Sequence, residues 1–149
     1  MTTRHRRDFV LDSGAVTALA AQREVLASYL MLLRTRYDGS LLIPVPVLTE
    51  VRTGRRATDV PVDRLIKAIG AEGEMFLPLD VAAASRAGVL RAQALAAGGR
   101  LISTTDAQVV ALAEQRSALN AVTIITGDRI DVELLVDLTR RPNIAVALV

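Results

Sequence analysis

Asp12 follows the apolar run Phe9-Val10-Leu11 and precedes a helical pattern; Asp128 follows Val122-Thr123-Ile124-Ile125-Thr126-Gly127 in the same way. Glu50 falls in the helix predicted after a second apolar run, on a turn near its start, and Asp106 in the first turn of a helix opened by Thr104-Thr105. All four carboxylates therefore stand at a strand exit or an early helical turn. In a parallel α/β sheet those places share one edge, the edge at which such sheets bind ligands. Acids gathered there repel one another unless a cation joins them. Their oxygens are the hard ligands of Mg²⁺ or Mn²⁺, ions suited to phosphoryl chemistry. Singly, each acid has an ordinary role open to it. Asp12 can cap a helix, Asp106 can complement a helix dipole, Asp128 can serve the turn at Gly127, and Glu50 can be a solvated helix position. The joint placement points to a metal site.

The composition narrows the alternatives. The chain has 149 residues, enough for one domain that buries about two-thirds of its unfolded surface. Half of it is apolar but only 3% is aromatic, so Ala, Val and Leu must build the core, as in aliphatic strands covered by helices. There is no cysteine and one histidine, His5, in a polar N-terminal stretch. Thiolate metal sites, His-based zinc sites and Ser-His-Asp triads are thereby excluded, while an oxygen-ligand site is not. The net charge is only +2, yet of eighteen basic residues only Lys67 is lysine. Arginine pairs bidentately with phosphates, which makes nucleic acid a reasonable partner, although a GC-rich genome also produces Arg and Ala abundance. Arg4, Arg6 and Arg7 ahead of Phe9-Val10-Leu11 resemble a signal peptide until Asp12 interrupts the apolar stretch. No stretch reaches the roughly 18 apolar residues of a membrane span, so a cytoplasmic protein is expected.

The elements that must place these acids follow from periodicity and punctuation. A short strand is expected over 9–12, then two consecutive helices through about 33 that meet near Ala21-Gln22. Asp38-Gly39 reads as a turn, 41–45 as a strand that ends near Pro44 or lies at an edge, and 47–51 as a helix broken at Thr53-Gly54. The polar, basic stretch 54–61 reads as an exposed connection, followed by a helix over 62–69 and a strand over 75–79. Asp80 is placed to cap a long helix over 81–97 that stops at Gly98-Gly99. Thr104 or Thr105 opens a helix to about 118 that buries Val109, Val110, Leu112 and Ala113. A strand over 122–126, a helix over 132–138 and a strand over 144–148 complete the chain. Strands alternating with helices predict one three-layer α/β/α domain over 1–149 with a central, mostly parallel sheet. Leu26, Tyr29, Leu30 and Leu33 form an apolar helix face for the core or for a dimer.

Four segments, in this order and spacing, carry a resemblance over essentially the whole chain. They are Phe9-Val10-Leu11-Asp12-Ser13, Pro46-Val47-Leu48-Thr49-Glu50-Val51, Thr105-Asp106-Ala107-Gln108-Val109-Val110-Ala111-Leu112-Ala113, and Ile125-Thr126-Gly127-Asp128 with Asp131 three residues on. Together they resemble the PIN-domain ribonuclease family, especially the VapC-type toxin of VapBC toxin–antitoxin pairs. The resemblance implies an endoribonuclease that cuts single-stranded RNA with Mg²⁺ or Mn²⁺. It makes Asp12, Glu50, Asp106 and Asp128 the catalytic acids, with Asp12, Asp106 and Asp128 on the metal. Asp131, Thr126 and Ser13 would be auxiliary, Asp131 acting through water. Gly127 departs from the family, which often has a polar side chain there. The resemblance also implies a homodimer and an antitoxin partner whose segment blocks the acidic site with a cationic side chain.

Hydrolysis by water predicts 3′-hydroxyl and 5′-phosphate ends. Arg52, Arg55 and Arg56, just past Glu50, are placed to contact the RNA backbone or to form a solvated loop. The competing readings are a PIN-like scaffold that binds RNA or protein without cutting, and an RNA-processing nuclease that is not a toxin. A phosphoacceptor receiver domain fits poorly, because Ser13 follows Asp12 and Lys67 lies mid-chain in a helix.

Overall fold

The computed structural model describes residues 5–70 and 75–149; Arg4, part of the basic N-terminal run, lies outside them. The chain runs β1 (Arg7–Leu11), α1 (Ser13–Ala21), α2 (Arg23–Thr35), β2 (Leu41–Pro44), α3 (Val45–Val51) and α4 (Arg56–Gly70). It continues through β3 (Phe76–Leu77), α5 (Val81–Gly98), α6 (Thr104–Arg116), β4 (Ala121–Thr126), α7 (Arg129–Thr139) and β5 (Ile144–Leu148). The strands form one sheet in the order β3-β2-β1-β4-β5, and every pairing is parallel. Parallel strands require crossovers, and right-handed crossovers decide the faces. The two steps from β1 to β2 to β3 carry α1 to α4 over one face; the return to β4 and the step to β5 carry α5, α6 and α7 over the other. The chain thus leaves β1 and β4, which are neighbours, toward opposite faces. That is the switch point at which open parallel sheets form a crevice.

The central strands are buried on both sides and accordingly read as continuous aliphatic runs. Val10, Leu11, Leu42, Ile43, Ile124 and Ile125 are fully buried. Three of the four aromatics gather at one place, with the Phe9 ring meeting Tyr29 and Tyr37 edge-on at 5.8 and 5.7 Å. Leu26 is buried and Tyr29, Leu30 and Leu33 pack against the core, so this face of α2 is turned inward. α1 and α2 meet at Gln22, as their periodicity predicts, bent by 110°. Among the described residues no single helix is long and apolar enough to cross a membrane.

Several boundaries differ from expectation. The stretch 54–61 is mostly helical: α4 starts at Arg56 and holds Pro61 inside it, with Val62, Leu65 and Ile69 on its buried face. Asp59 makes this possible, accepting the amides of Thr53 and Gly54 at 2.9 Å each and so turning the preceding loop onto the first helical turn. α3 begins at Val45, directly after the strand, because a proline early in a helix loses no internal hydrogen bond. Glu50 is therefore near the end of α3, not its start. β3 is confined to Phe76–Leu77, and the following Pro78 has no N–H to continue a ladder. α6 opens at Thr104, as expected, with Ser103 as the cap before it.

Candidate metal centre

Asp12 and Asp128 come together because their strands are neighbours in register. Leu11 lies opposite Ile125, and the Asp12 amide extends the ladder by donating to the Ile125 carbonyl at 3.1 Å. Each then caps the helix that follows. Asp12 Oδ1 accepts from the Ala15 amide at 2.8 Å, and Asp128 Oδ1 from the Asp131 amide at 3.3 Å. Thr126 ties the two acids together: its hydroxyl donates to Asp12 Oδ2 and accepts the Asp128 amide at 2.8 Å. The Gly127 amide also points at Asp12, at 3.3 Å from both oxygens. The capping roles that each acid could have filled alone are thus real, and they orient carboxylates that face a common crevice.

Gly127 has a packing reason. A Cβ there would meet Gly14 Cα at 3.2 Å, and a Cβ on Gly14 would meet Gly127 Cα at 3.0 Å. The exit of β4 and the first turn of α1 therefore touch backbone to backbone. Alanine is intrinsically better than glycine in a helix by about 1 kcal/mol. Gly14→Ala is nonetheless expected to lower stability by about 1–3 kcal/mol, as overpacking does, and to weaken Mn²⁺ binding by spreading Asp12 from Asp128. Thermal unfolding and Mn²⁺ titration read both; a more stable variant with unchanged binding would contradict this packing argument.

Asp106 is brought in from the other face by α6, whose cap Ser103 accepts the Asp106 amide at 3.1 Å. α6 is held against α5 by a two-pronged ion pair, Arg86 Nε and Nη2 to Glu114 Oε1 and Oε2 at 2.9 and 3.1 Å. Oxygens of Asp106, Asp128 and Asp131 lie within 4.8 Å of one another. Asp12 stands beside this trio with both oxygens engaged by the donors just described. Glu50 is exposed on α3, near enough for its charge to reach Asp106.

The electrostatics record the crowding. Burial is the main cause that raises Asp106 to about 6, opposed by the Ser103 hydroxyl and reinforced by the charges of Asp12, Asp128 and Glu50. Burial likewise raises Asp12, with Asp128 adding to it and the bonds from Thr126, Ala15 and Gly127 working against it. A divalent cation fits this donor set on two independent grounds. The clustered ligands are all carboxylate oxygens, and their spacing is close to what one ion with bonds of about 2.1 Å spans. The Ser13 hydroxyl, directly after Asp12, is also buried with no hydrogen-bond partner.

Of the three arginines expected at the rim, Arg52 is tied to Asp63 at 2.6 Å, while Arg55 and Arg56 are exposed. Arg100 was not singled out by the sequence, yet its guanidinium reaches Asp131 within the acidic cluster. The only local signal is a basic residue between the Gly98-Gly99 stop and the helix that carries Asp106.

Solved structures with the same fold are found at low sequence identity. A chain of the DNA-bound VapBC from Salmonella typhimurium matches with a TM-score of 0.66 at 21% identity, over 95% of this chain and 97% of that one. A chain of VapBC2 from Rickettsia felis, bound to a promoter DNA fragment, gives 0.64 at 17%, over 95% and 98%. The chain has the PIN-domain fold. VapBC-5 from Mycobacterium tuberculosis, a member of the VapBC family of toxin–antitoxin systems, gives 0.58 at 24%, over 95% and 98%. No protein-family model and no curated protein matches the sequence.

Proposed function

We propose that the chain is a single-domain, Mg²⁺- or Mn²⁺-dependent endoribonuclease for single-stranded RNA and the toxin of a type II toxin–antitoxin pair. The observation that supports this reading is the cluster of Asp106, Asp128 and Asp131, with Asp12 beside it, at the switch point of a PIN-domain sheet. Asp106, Asp128 and Asp131 would hold the ion, with Asp12 at its edge. Such an ion activates water for attack on phosphorus and offsets charge on the phosphate oxygens. Thr126 keeps Asp12 and Asp128 in register through its hydroxyl, and Ser13 offers a buried donor beside them. Glu50, exposed on α3 with its charge reaching Asp106, would serve as a proton acceptor. Arg55 and Arg56 grip the RNA backbone, joined by Arg52 when it leaves Asp63.

The toxin assignment is supported by the VapBC structures that share the fold, and it brings an antitoxin that blocks the acidic site and a homodimer readable by mass in solution. Product-end analysis tests the chemistry. Single-stranded RNA incubated with the protein and Mn²⁺ should yield 3′-hydroxyl and 5′-phosphate ends, and EDTA should stop cleavage. A 2′,3′-cyclic phosphate would mean attack by the ribose hydroxyl and would overturn the hydrolytic mechanism.

A further inference from the structure

Arg100 lies on the short segment between α5 and α6, and its Nε donates to Asp131 Oδ1 in the first turn of α7. This contact is inside the cluster, since Asp131 supplies one of the three neighbouring carboxylate oxygens. The backbone that presents Arg100 is anchored on both sides. Gly99 closes α5 in the left-handed conformation at φ 61°, and Arg91 Nε holds the Ile102 carbonyl at 3.0 Å, with Ile102 itself buried. The segment ends at Ser103, the cap that delivers Asp106. One anchored segment therefore delivers both an acid of the cluster and the cation that meets it. Among the described residues, Asp131 is the one member of the trio with a basic partner. The arginine side chain is 47% exposed and the aspartate 14%, so the guanidinium sits on the rim and can swing into water at little cost.

We propose that Arg100 is a resident counter-cation of this cluster, competing with the divalent ion for Asp131 and thereby setting the ion concentration at which the site fills. The proposal rests on the metal-site reading above. A carboxylate oxygen engaged by a guanidinium offers less to a metal. Filling the site with metal breaks this charge-assisted hydrogen bond, and that loss weakens ion binding by roughly tenfold. Arginine does not deprotonate, so the competing charge is permanent. An ion that takes Asp131 displaces Arg100 outward into solvent, where its side chain is already half exposed.

Mn²⁺ alone, titrated calorimetrically into the metal-free full chain, tests this in a four-protein cycle: wild type, Arg100→Ala, Asp131→Asn and the double variant. Arg100→Ala should bind Mn²⁺ about tenfold more tightly than wild type, and this gain should shrink below about threefold when Asp131 is already Asn. Unchanged or weaker binding by Arg100→Ala, with wild type binding normally, overturns the counter-cation and leaves the metal site standing. An undiminished gain in the Asp131→Asn background also overturns it, because remote charge would then be the whole effect. Failure of all four proteins to bind Mn²⁺ removes the metal-site reading itself.

Discussion

Asp106→Asn is expected to lower metal-dependent RNA cleavage by at least about a hundredfold while leaving the protein folded and, without metal, more stable at neutral pH. The activity loss follows from removing a charged ligand from a site asked to supply several kcal/mol of transition-state stabilisation, each 1.36 kcal/mol being tenfold in rate. The stability gain follows from the direction of the shift. Asp106 is raised from 3.8 to about 6 in the folded chain, so between these values the folded state binds more protons than the unfolded state. Stability must then fall as pH rises from about 4 to about 6, by on the order of 2 kcal/mol for this group alone. Asp12 is shifted in the same direction and adds to the slope. Asn carries no charge, so the variant should show a flatter profile across that window. Thermal unfolding in EDTA at several pH values, with cleavage assayed in Mn²⁺, checks both halves. A variant that cleaves like wild type would remove Asp106 from the chemistry, and one with an unchanged pH slope would remove the crowding argument.

Asp8→Ala should do the reverse: destabilise strongly, yet spare the chemistry of the molecules that remain folded. Asp8 is fully buried in β1, toward the edge of the sheet opposite Asp12. Its Oδ1 accepts the Ser40 amide at 2.9 Å; its Oδ2 accepts Arg116 Nε at 2.6 Å and Asn120 Nδ2 at 2.9 Å. Removing one partner of a buried ion pair costs about 3–5 kcal/mol, because the remaining donors lose a compensating charge where water cannot replace it. For a chain of this size that corresponds to a melting temperature lower by on the order of 10 °C. Calorimetry together with cleavage per folded molecule, measured well below the transition, separates the two roles. Normal stability would show that Asp8 is not the anchor its contacts make it.

Asp8 and Asp12 also mark where a linear reading of the chain succeeds and where it stops. Asp12 was legible because its meaning is local: an acid directly after a strand and before a helix, repeated at Asp128, with the strand order supplying the meeting point. Asp80 as a cap, the break at Gln22 and the strand Ile144–Leu148 were legible for the same reason. Asp8 and Arg100 were not, because their partners lie 108 and 31 positions away and periodicity carries no trace of such pairs. The stretch 54–61 misled because Gly54 and Pro61 look like the ends of a loop. Tertiary burial of Val62, Leu65 and Ile69, together with the Asp59 turn, outweighs one proline inside α4. Gly127 looked like a missing polar contact until the approach of Gly14 gave it a packing role. The trio nearest to a shared ion also includes Asp131, an acid whose weight depends on how α7 is aimed, which spacing alone does not express.

The most direct measurement is anomalous diffraction from crystals of the full chain soaked in Mn²⁺. A peak among the carboxylate oxygens of Asp106, Asp128 and Asp131, beside Asp12, is the predicted result. Well-ordered carboxylates at that crevice with no peak, at Mn²⁺ concentrations that support cleavage, would contradict it.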